Sequence, residues 1–267
     1  MTVSDFDPLF GEPQKEIPLA GAPLARVIAQ VQFTPIFSIR SEAYVAPFQE
    51  AIRSYYPNVE QEKINLLPLL AVAGEERTGI TWRFLCSKED WRVSLAPSFI
   101  ALETTAYTSR ADFMERFKVV VAALKSTVGS ARMARVGVRY VNRMKSPEID
   151  SLGDLLRPEM LGIASTPLLG RMQHTVTEVF CDVAEGKLLA KWGVLPPNGS
   201  HDPFVAPPVA TKSWFLDLDV SKHYDEPFEE MDANAVHATA VSLATRSYSF
   251  FRWATTDRFI AVHGGQL

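Results

Sequence analysis

Short turns separate the apolar segments of this chain, and they limit its fold more than any other feature. Segments 79–86 and 91–95 have strand composition and are joined by residues 87–90 alone. The dipeptide Glu185-Gly186 separates segments 173–184 and 187–195 in the same way. A connection between parallel strands needs about a dozen residues or more, so turns this short require antiparallel neighbours. The sheet is therefore predicted to be mainly antiparallel.

Two long segments have helical rather than strand periodicity. Ser109 and Asp112 resemble a capping box, and Gly129 is a typical helix end. Between them lies an apolar stripe that we expect to be buried against the sheet: Phe113, Met114, Phe117, Val120, Val121 and Leu124. A second helix is predicted from about 232 to 249. Strands joined by tight turns, with helices on one face, predict an α+β fold.

Two further strands and a shorter helix are predicted. Residues 63–73 form one strand candidate, and residues 90–105 form another that we expect to bend at Pro97. A shorter helix is predicted at about 43–55, where Pro47 is compatible only with the first turn. All three predictions concern the first half of the chain.

The predicted domain organisation has two parts. Residues 1–22 hold four acidic residues and three prolines with little periodicity, and we expect an N-terminal arm. Residues 23–267 are predicted to form a single α+β domain. Several strands followed by a long helix occur twice, so two similar halves, 23–145 and 171–267, stay open as an alternative.

Composition limits the classes of function. The net charge is −4 and the pI is near 5.8, which disfavours a dedicated nucleic-acid binder because phosphates require a concentrated basic surface. Cys86 and Cys181 are far apart and are expected to be free thiols. The N-terminus lacks a signal-peptide pattern, and no apolar run reaches membrane-spanning length. We therefore expect a cytoplasmic protein without membrane contact.

Several stretches resemble a sporadically distributed bacterial family of about 260 residues whose function is unknown. They are residues 23–33, Trp91-Arg92-Val93-Ser94-Leu95, Ala101 to Thr108, Asp112-Phe113, and Val136 to Arg143. The resemblance covers nearly the whole chain and is looser in its C-terminal third. The family pattern has a bulkier aliphatic residue where Val138 stands. The resemblance implies no catalytic residue.

Three arginines on one strand are the main candidate binding group. Arg135, Arg139 and Arg143 are four residues apart and project from one strand face. They form either an anion-binding stripe or ion pairs with neighbouring strands, for which Glu103, Glu178 and Asp182 are the expected partners. We favour the ion pairs for Arg139 and regard Arg143 as the better functional candidate.

Two other candidate groups lie in the second half. Asp217 and Asp219 share a strand face and have the ligand type for Mg²⁺; pairing with the arginine stripe is the alternative. Trp192 and Trp214 flank the Pro-rich segment 196–210 and are candidates for an apolar mouth. The histidines lack the spacing of a zinc-enzyme motif, and no phosphate-binding glycine loop is present. No cofactor is predicted.

These patterns favour a non-enzymatic protein. We expect it to bind another protein, as an accessory or neutralising partner in a bacterial defence or toxin system. The alternative is a metal-dependent enzyme or binder that acts on a phosphorylated or nucleic-acid substrate through the arginine stripe, with Asp217 and Asp219 holding the metal.

Overall fold

The computed structural model describes residues 6–65, 78–129, 131–225 and 229–266. Within them the strands are β1 (Leu24–Phe33), β2 (Asn58–Asn65), β3 (Thr78–Leu85), β4 (Trp91–Ala96), β5 (Phe99–Thr104), β6 (Met133–Lys145), β7 (Thr177–Val183), β8 (Gly186–Leu195) and β9 (Ser213–His223). The helices are α1 (Glu42–Ile52), α2 (Arg110–Val128), α3 (Leu152–Leu155), α4 (Pro158–Leu161), α5 (Ala233–Ala254) and α6 (Asp257–Val262).

The described strands form a nine-stranded sheet in the order β2-β3-β4-β5-β1-β6-β9-β8-β7. The sheet is open and antiparallel. The two predicted hairpins are present, because β3 pairs with β4 and β7 pairs with β8, both in antiparallel register. The α+β fold predicted from the short turns is confirmed.

The predicted bend at Pro97 is wrong. Residues 91–104 form two strands instead of one, and Ala96 pairs with Phe99 across a turn made by Pro97 and Ser98. Proline lacks the N–H that a central strand donates to its neighbour, so it belongs in the turn. The strand candidate 63–73 extends beyond the described residues, which end at Asn65 on this side.

The capped helix predicted after residue 108 is α2. The Ser109 hydroxyl oxygen accepts a hydrogen bond from the Asp112 N–H at 3.2 Å, as a capping residue does. Its apolar stripe is buried, with Phe117 fully so, and the Phe113 ring lies 5.8 Å from that of Trp91. In α1, by contrast, Pro47 lies inside the helix rather than in its first turn.

Contacts along the chain divide it into two compact units. Unit 1 comprises residues 1–27, 137–222 and 241–267, and unit 2 comprises residues 28–136 and 223–240. Each unit combines sequence-distant segments. Unit 2 contains α1, α2 and strands β2 to β5, and unit 1 contains β7, β8, most of β9, and the candidate site described below.

The described part of the N-terminal arm, residues 6–22, contacts other segments of unit 1. Arg246 donates to the carbonyl oxygens of Pro8 at 3.2 Å and Gly11 at 3.0 Å. The same guanidinium forms a two-point ion pair with Glu185 in the β7–β8 turn. Arg246 is only 3% exposed, so a buried cation fixes the backbone of this irregular segment.

Two expectations from composition concern the cysteines and the membrane. Cys86 and Cys181 are both free thiols, as predicted. Among the described residues, no helix has the length and apolar character needed to cross a membrane.

Candidate functional site

The candidate site begins with an ion pair between two neighbouring strands. Strands β6 and β9 are adjacent in the sheet. The Arg139 guanidinium, on β6, donates from Nε to Asp217 Oδ1 at 2.8 Å and from Nη2 to Asp217 Oδ2 at 2.6 Å. This two-point geometry fits a planar guanidinium to a carboxylate. The Asp217 side chain is 3% exposed, so the pair closes off the carboxylate.

The segment between β8 and β9, residues 196–212, returns to this pair; we call it the 196–212 loop. His201 Nε2 lies 2.7 Å from Asp217 Oδ2, and its ring stacks on Phe215 with centroids 3.9 Å apart. Asp202 accepts a hydrogen bond from Arg139 Nη2 at 2.9 Å. Since a carboxylate only accepts hydrogen bonds, His201 Nε2 carries the proton that it shares with Asp217.

Arg143 fixes both ends of the same loop. Its guanidinium donates to the carbonyl oxygen of Gly199 at 2.8 Å and to that of Pro207 at 2.6 Å. It also donates to the Ser213 hydroxyl at 3.0 Å. Arg143 is 6% exposed, and burial lowers its pKa. These carbonyl groups lie outside regular structure and have no strand or helix ladder to accept from, and one side chain supplies a donor to both.

Local hydrogen bonds shape the tip of the 196–212 loop. The Asp202 carbonyl accepts from the N–H groups of Val205 at 3.1 Å and Ala206 at 2.8 Å. The Ser200 hydroxyl donates to the Ala206 carbonyl at 2.5 Å. The turn directs Phe204 outward, and 80% of its surface is exposed. Hydrogen bonds within the loop therefore fix the conformation of the tip, and the aromatic side chain of Phe204 is exposed to solvent.

Burial and charge act in opposite directions on the ionisable groups. Burial favours a raised pKa for the Asp217 carboxyl, but the hydrogen bonds and charges of Arg139 and His201 outweigh it and lower this pKa. Burial also disfavours the charged form of Arg139, while Asp217 and Asp202 outweigh that effect and raise the Arg139 pKa. Each group is thus held in its charged form by the other.

The remaining sequence-predicted residues lie apart from this cluster. Arg135 belongs to unit 2, where it lies 3.4 Å from Gln30 Oε1. Asp219 is on the same β9 face as Asp217, opposite Leu189 instead of Lys191. The register pairs Trp192 with Leu216 and Trp214 with Val194. Strand alternation therefore places both tryptophans on the face opposite Asp217 and Phe215.

Each acid expected to pair with the arginine stripe contacts a basic residue outside it. Glu103 pairs with Arg92 on β4, Glu178 with Lys191, and Asp182 with Lys187. The expected pairings of Glu178 and Asp182 with the stripe are wrong, because β9 and β8 separate β7 from β6. The expected pairing of Glu103 with the stripe stays a prediction. The other hypothesis for Asp217, that it pairs with the stripe, matches the geometry.

The geometry leaves few free groups for a metal ion or a phosphate. No group of three or more His, Cys, Asp and Glu side chains suited to a metal ion occurs in the described part of the chain. Arg139 lies between the carboxylates of Asp202 and Asp217, and it would have to leave before they shared a cation. The enzyme alternative stays a prediction that requires this cluster to open.

His201 and Asp202 were not among the residues singled out from the sequence. The available signal was their position: both follow the turn Asn198-Gly199 in a loop rich in proline. Proline restricts the unfolded loop and so favours one defined conformation. The chain matches neither models of known protein families nor curated proteins.

Proposed function

We propose that this chain is a non-enzymatic binding protein whose 196–212 loop contacts a protein partner through Phe204. The observation that carries the proposal is the 80% exposure of Phe204 on a loop fixed by buried side chains. Exposing a phenylalanine costs hydrophobic free energy, which burial against a partner recovers. Aromatic residues are also a common source of binding energy in protein interfaces.

The hydrogen bonds below the loop support the same proposal. A loop that is already ordered loses less conformational entropy when it binds. Arg143 holds the loop through two carbonyl oxygens, and Arg139 holds Asp202 at 2.9 Å. Arg139 and Arg143, which suggested a ligand site, thus stabilise the conformation of the loop. Phe204 at its tip remains exposed to solvent.

The proposed setting rests on the sequence resemblance. Sporadic distribution is typical of accessory genes that move between bacteria, so we propose a cytoplasmic accessory or neutralising partner in a defence or toxin system. Partners in such systems are encoded beside one another, which gives the experiment a short list of candidates.

The experiment measures binding to the products of neighbouring genes. Each product is purified and titrated by calorimetry with the wild-type chain, with Phe204→Ala and with Phe37→Ala. Phe37 is the matched control, because it is 65% exposed but lies in unit 2. Loss of a central aromatic contact costs about 2 kcal/mol or more, so Phe204→Ala is expected to weaken binding about 30-fold.

Phe37→Ala is expected to leave the affinity within about two-fold of the wild type. A third variant, Asp202→Asn, keeps Phe204 but weakens the bond to Arg139, and it should give an intermediate loss. Equal affinities for Phe204→Ala and wild type would refute the proposed contact. Turnover of a phosphorylated substrate by the purified chain, abolished by Asp217→Asn, would favour the enzyme alternative.

A further inference from the structure

Strand β7 is largely exposed. It lies at one end of the sheet, and among the described strands it pairs only with β8. Residues Thr177 to Phe180 are all exposed, and Phe180 is 67% exposed. An open edge offers unpaired backbone N–H and C=O groups to another strand.

The opposite edge of the sheet has a different composition. Strand β2 has the sequence NVEQEKIN, with three charged residues in eight. Charged residues on an edge strand oppose pairing with other chains. Strand β7 has the sequence TEVFCDV, in which Val179 and Phe180 are adjacent and both exposed. Strand β7 has two charged residues in seven, and it also carries two adjacent exposed apolar side chains that a pairing strand could cover.

Two acidic residues flank Phe180 on the same face of β7. Glu178 and Asp182 stand two residues before and after it, so strand alternation directs all three to one side. Glu178 Oε2 is 2.6 Å from Lys191 Nζ, and Asp182 contacts Lys187. Both carboxylates remain more than half exposed, at 55% and 68%. A carboxylate accepts several hydrogen bonds, so each retains capacity for a second cation.

These charges disfavour a second copy of this chain as the occupant. If two β7 strands paired antiparallel with Phe180 opposite Phe180, Glu178 of each copy would face Asp182 of the other. Directly opposed like charges destabilise a strand pair. A strand with basic residues at those two positions would form two favourable pairs instead.

We propose that β7 pairs antiparallel with an extended segment of a partner protein that carries Lys or Arg two residues before and two residues after an apolar residue. The apolar residue lies opposite Phe180, and the basic residues lie opposite Glu178 and Asp182. This is strand addition to a sheet edge, in which backbone hydrogen bonds give affinity and alternate side chains give specificity. The inference goes beyond the proposed function, because it concerns a contact that does not use Phe204.

The test uses two synthetic peptides with blocked ends and a fluorescent label. The first, TKVFVKT, has the proposed basic pattern, and the second, TEVFVET, has its charges reversed. Fluorescence anisotropy measures their binding to the full chain at low salt. The basic peptide is expected to bind about ten-fold tighter, because two cross-strand pairs change from repulsive to attractive.

The charge-reversed protein Glu178→Lys/Asp182→Lys is expected to prefer the acidic peptide. Its matched control is Glu60→Lys/Glu62→Lys on the β2 edge, which should retain the wild-type preference. Circular dichroism checks that both variants stay folded. Equal binding of the two peptides, binding of neither at millimolar concentration, or an unchanged preference in the charge-reversed protein would each overturn the inference.

Two further measurements separate this inference from its alternatives. Phe204→Ala should bind the basic peptide as the wild type does, so failure of the proposed loop contact and failure of the edge contact are distinguishable. Light scattering should give the same molar mass for the wild-type chain and for Phe180→Glu. The result that would count against the proposal is a wild-type dimer that the Phe180→Glu substitution dissociates. Such a dimer would assign the β7 edge to a second copy and overturn the proposed basic partner.

Discussion

The substitution Arg139→Ala tests whether the candidate cluster is a structural element. It removes two hydrogen bonds, at 2.8 and 2.6 Å, from the Asp217 carboxylate. Asp217 is 3% exposed, so water cannot replace them readily, and only the contact with His201 at 2.7 Å remains. Removing one partner of a buried ion pair costs about 3–5 kcal/mol. Because Arg139 itself is 24% exposed, we expect a loss near the lower end, about 3 kcal/mol.

Urea unfolding followed by tryptophan fluorescence measures this loss. The control is Lys187→Ala, which breaks an ion pair whose side chains are 46% and 68% exposed and should cost less than about 1 kcal/mol. On an Asp217→Ala background, Arg139→Ala should cost much less, since no buried carboxylate is left unpaired. A loss from Arg139→Ala as small as that from Lys187→Ala would refute the assignment of a structural role.

Three more predictions follow from the structure. Since the pKa of Asp217 lies below its ordinary value of 3.8, its contribution to stability is complete above that value and disappears as the pH falls through the folded-state pKa. The stability difference between wild type and Asp217→Asn should therefore shrink in urea melts as the pH falls below 3.8, and a constant difference would contradict the lowered pKa. Phe117→Ala should cost about 3–5 kcal/mol because the side chain is fully buried, and a loss below about 1 kcal/mol would mean that the site collapses around the smaller residue. Gly186→Ala should lower the melting temperature, because Gly186 has φ of 156° and an added Cβ would overlap the Ser221 carbonyl oxygen; an unchanged melting temperature would show that this turn adjusts at little cost.

Local sequence patterns predicted the features that depend on neighbouring residues. The Ser109 cap and the stripe through Phe117 specify α2 without information from elsewhere in the chain. The short turn between β3 and β4 specifies that hairpin for the same reason. Pro97 was misinterpreted because the apolar pattern continues on both sides of it, and periodicity alone does not show where a strand reverses.

Strand order is the part that the sequence did not supply. A period of two placed Arg139 and Arg143 on one face, but it could not show that β9 lies beside β6. The expected partner Glu178 is on β7, which lies two strands beyond β9 in the sheet. The predicted ion pair therefore exists, but its acidic partner is Asp217 and not Glu178. The contact between His201 and Asp217 could not be predicted for the same reason, since it depends on a loop that folds back over a strand.

Two buried arginines of unit 1 have the same role. Arg143 holds the carbonyl oxygens of Gly199 and Pro207, and Arg246 holds those of Pro8 and Gly11. Both segments are irregular, so their backbone groups have no strand or helix partner. A guanidinium has five donors in a fixed plane, which suits it to gather acceptors that point in different directions.

This use of arginine changes how a row of basic residues should be interpreted. Each fixed segment exposes a phenylalanine, Phe204 in the loop and Phe10 in the arm, at 80% and 59%. The cations are therefore directed inward, and each segment that they hold exposes an aromatic side chain. An anion would compete with the chain's own carbonyl groups for Arg143, whereas a protein partner can contact Phe204 without disturbing any of these bonds. The arrangement accordingly favours recognition of an apolar surface over recognition of a phosphate.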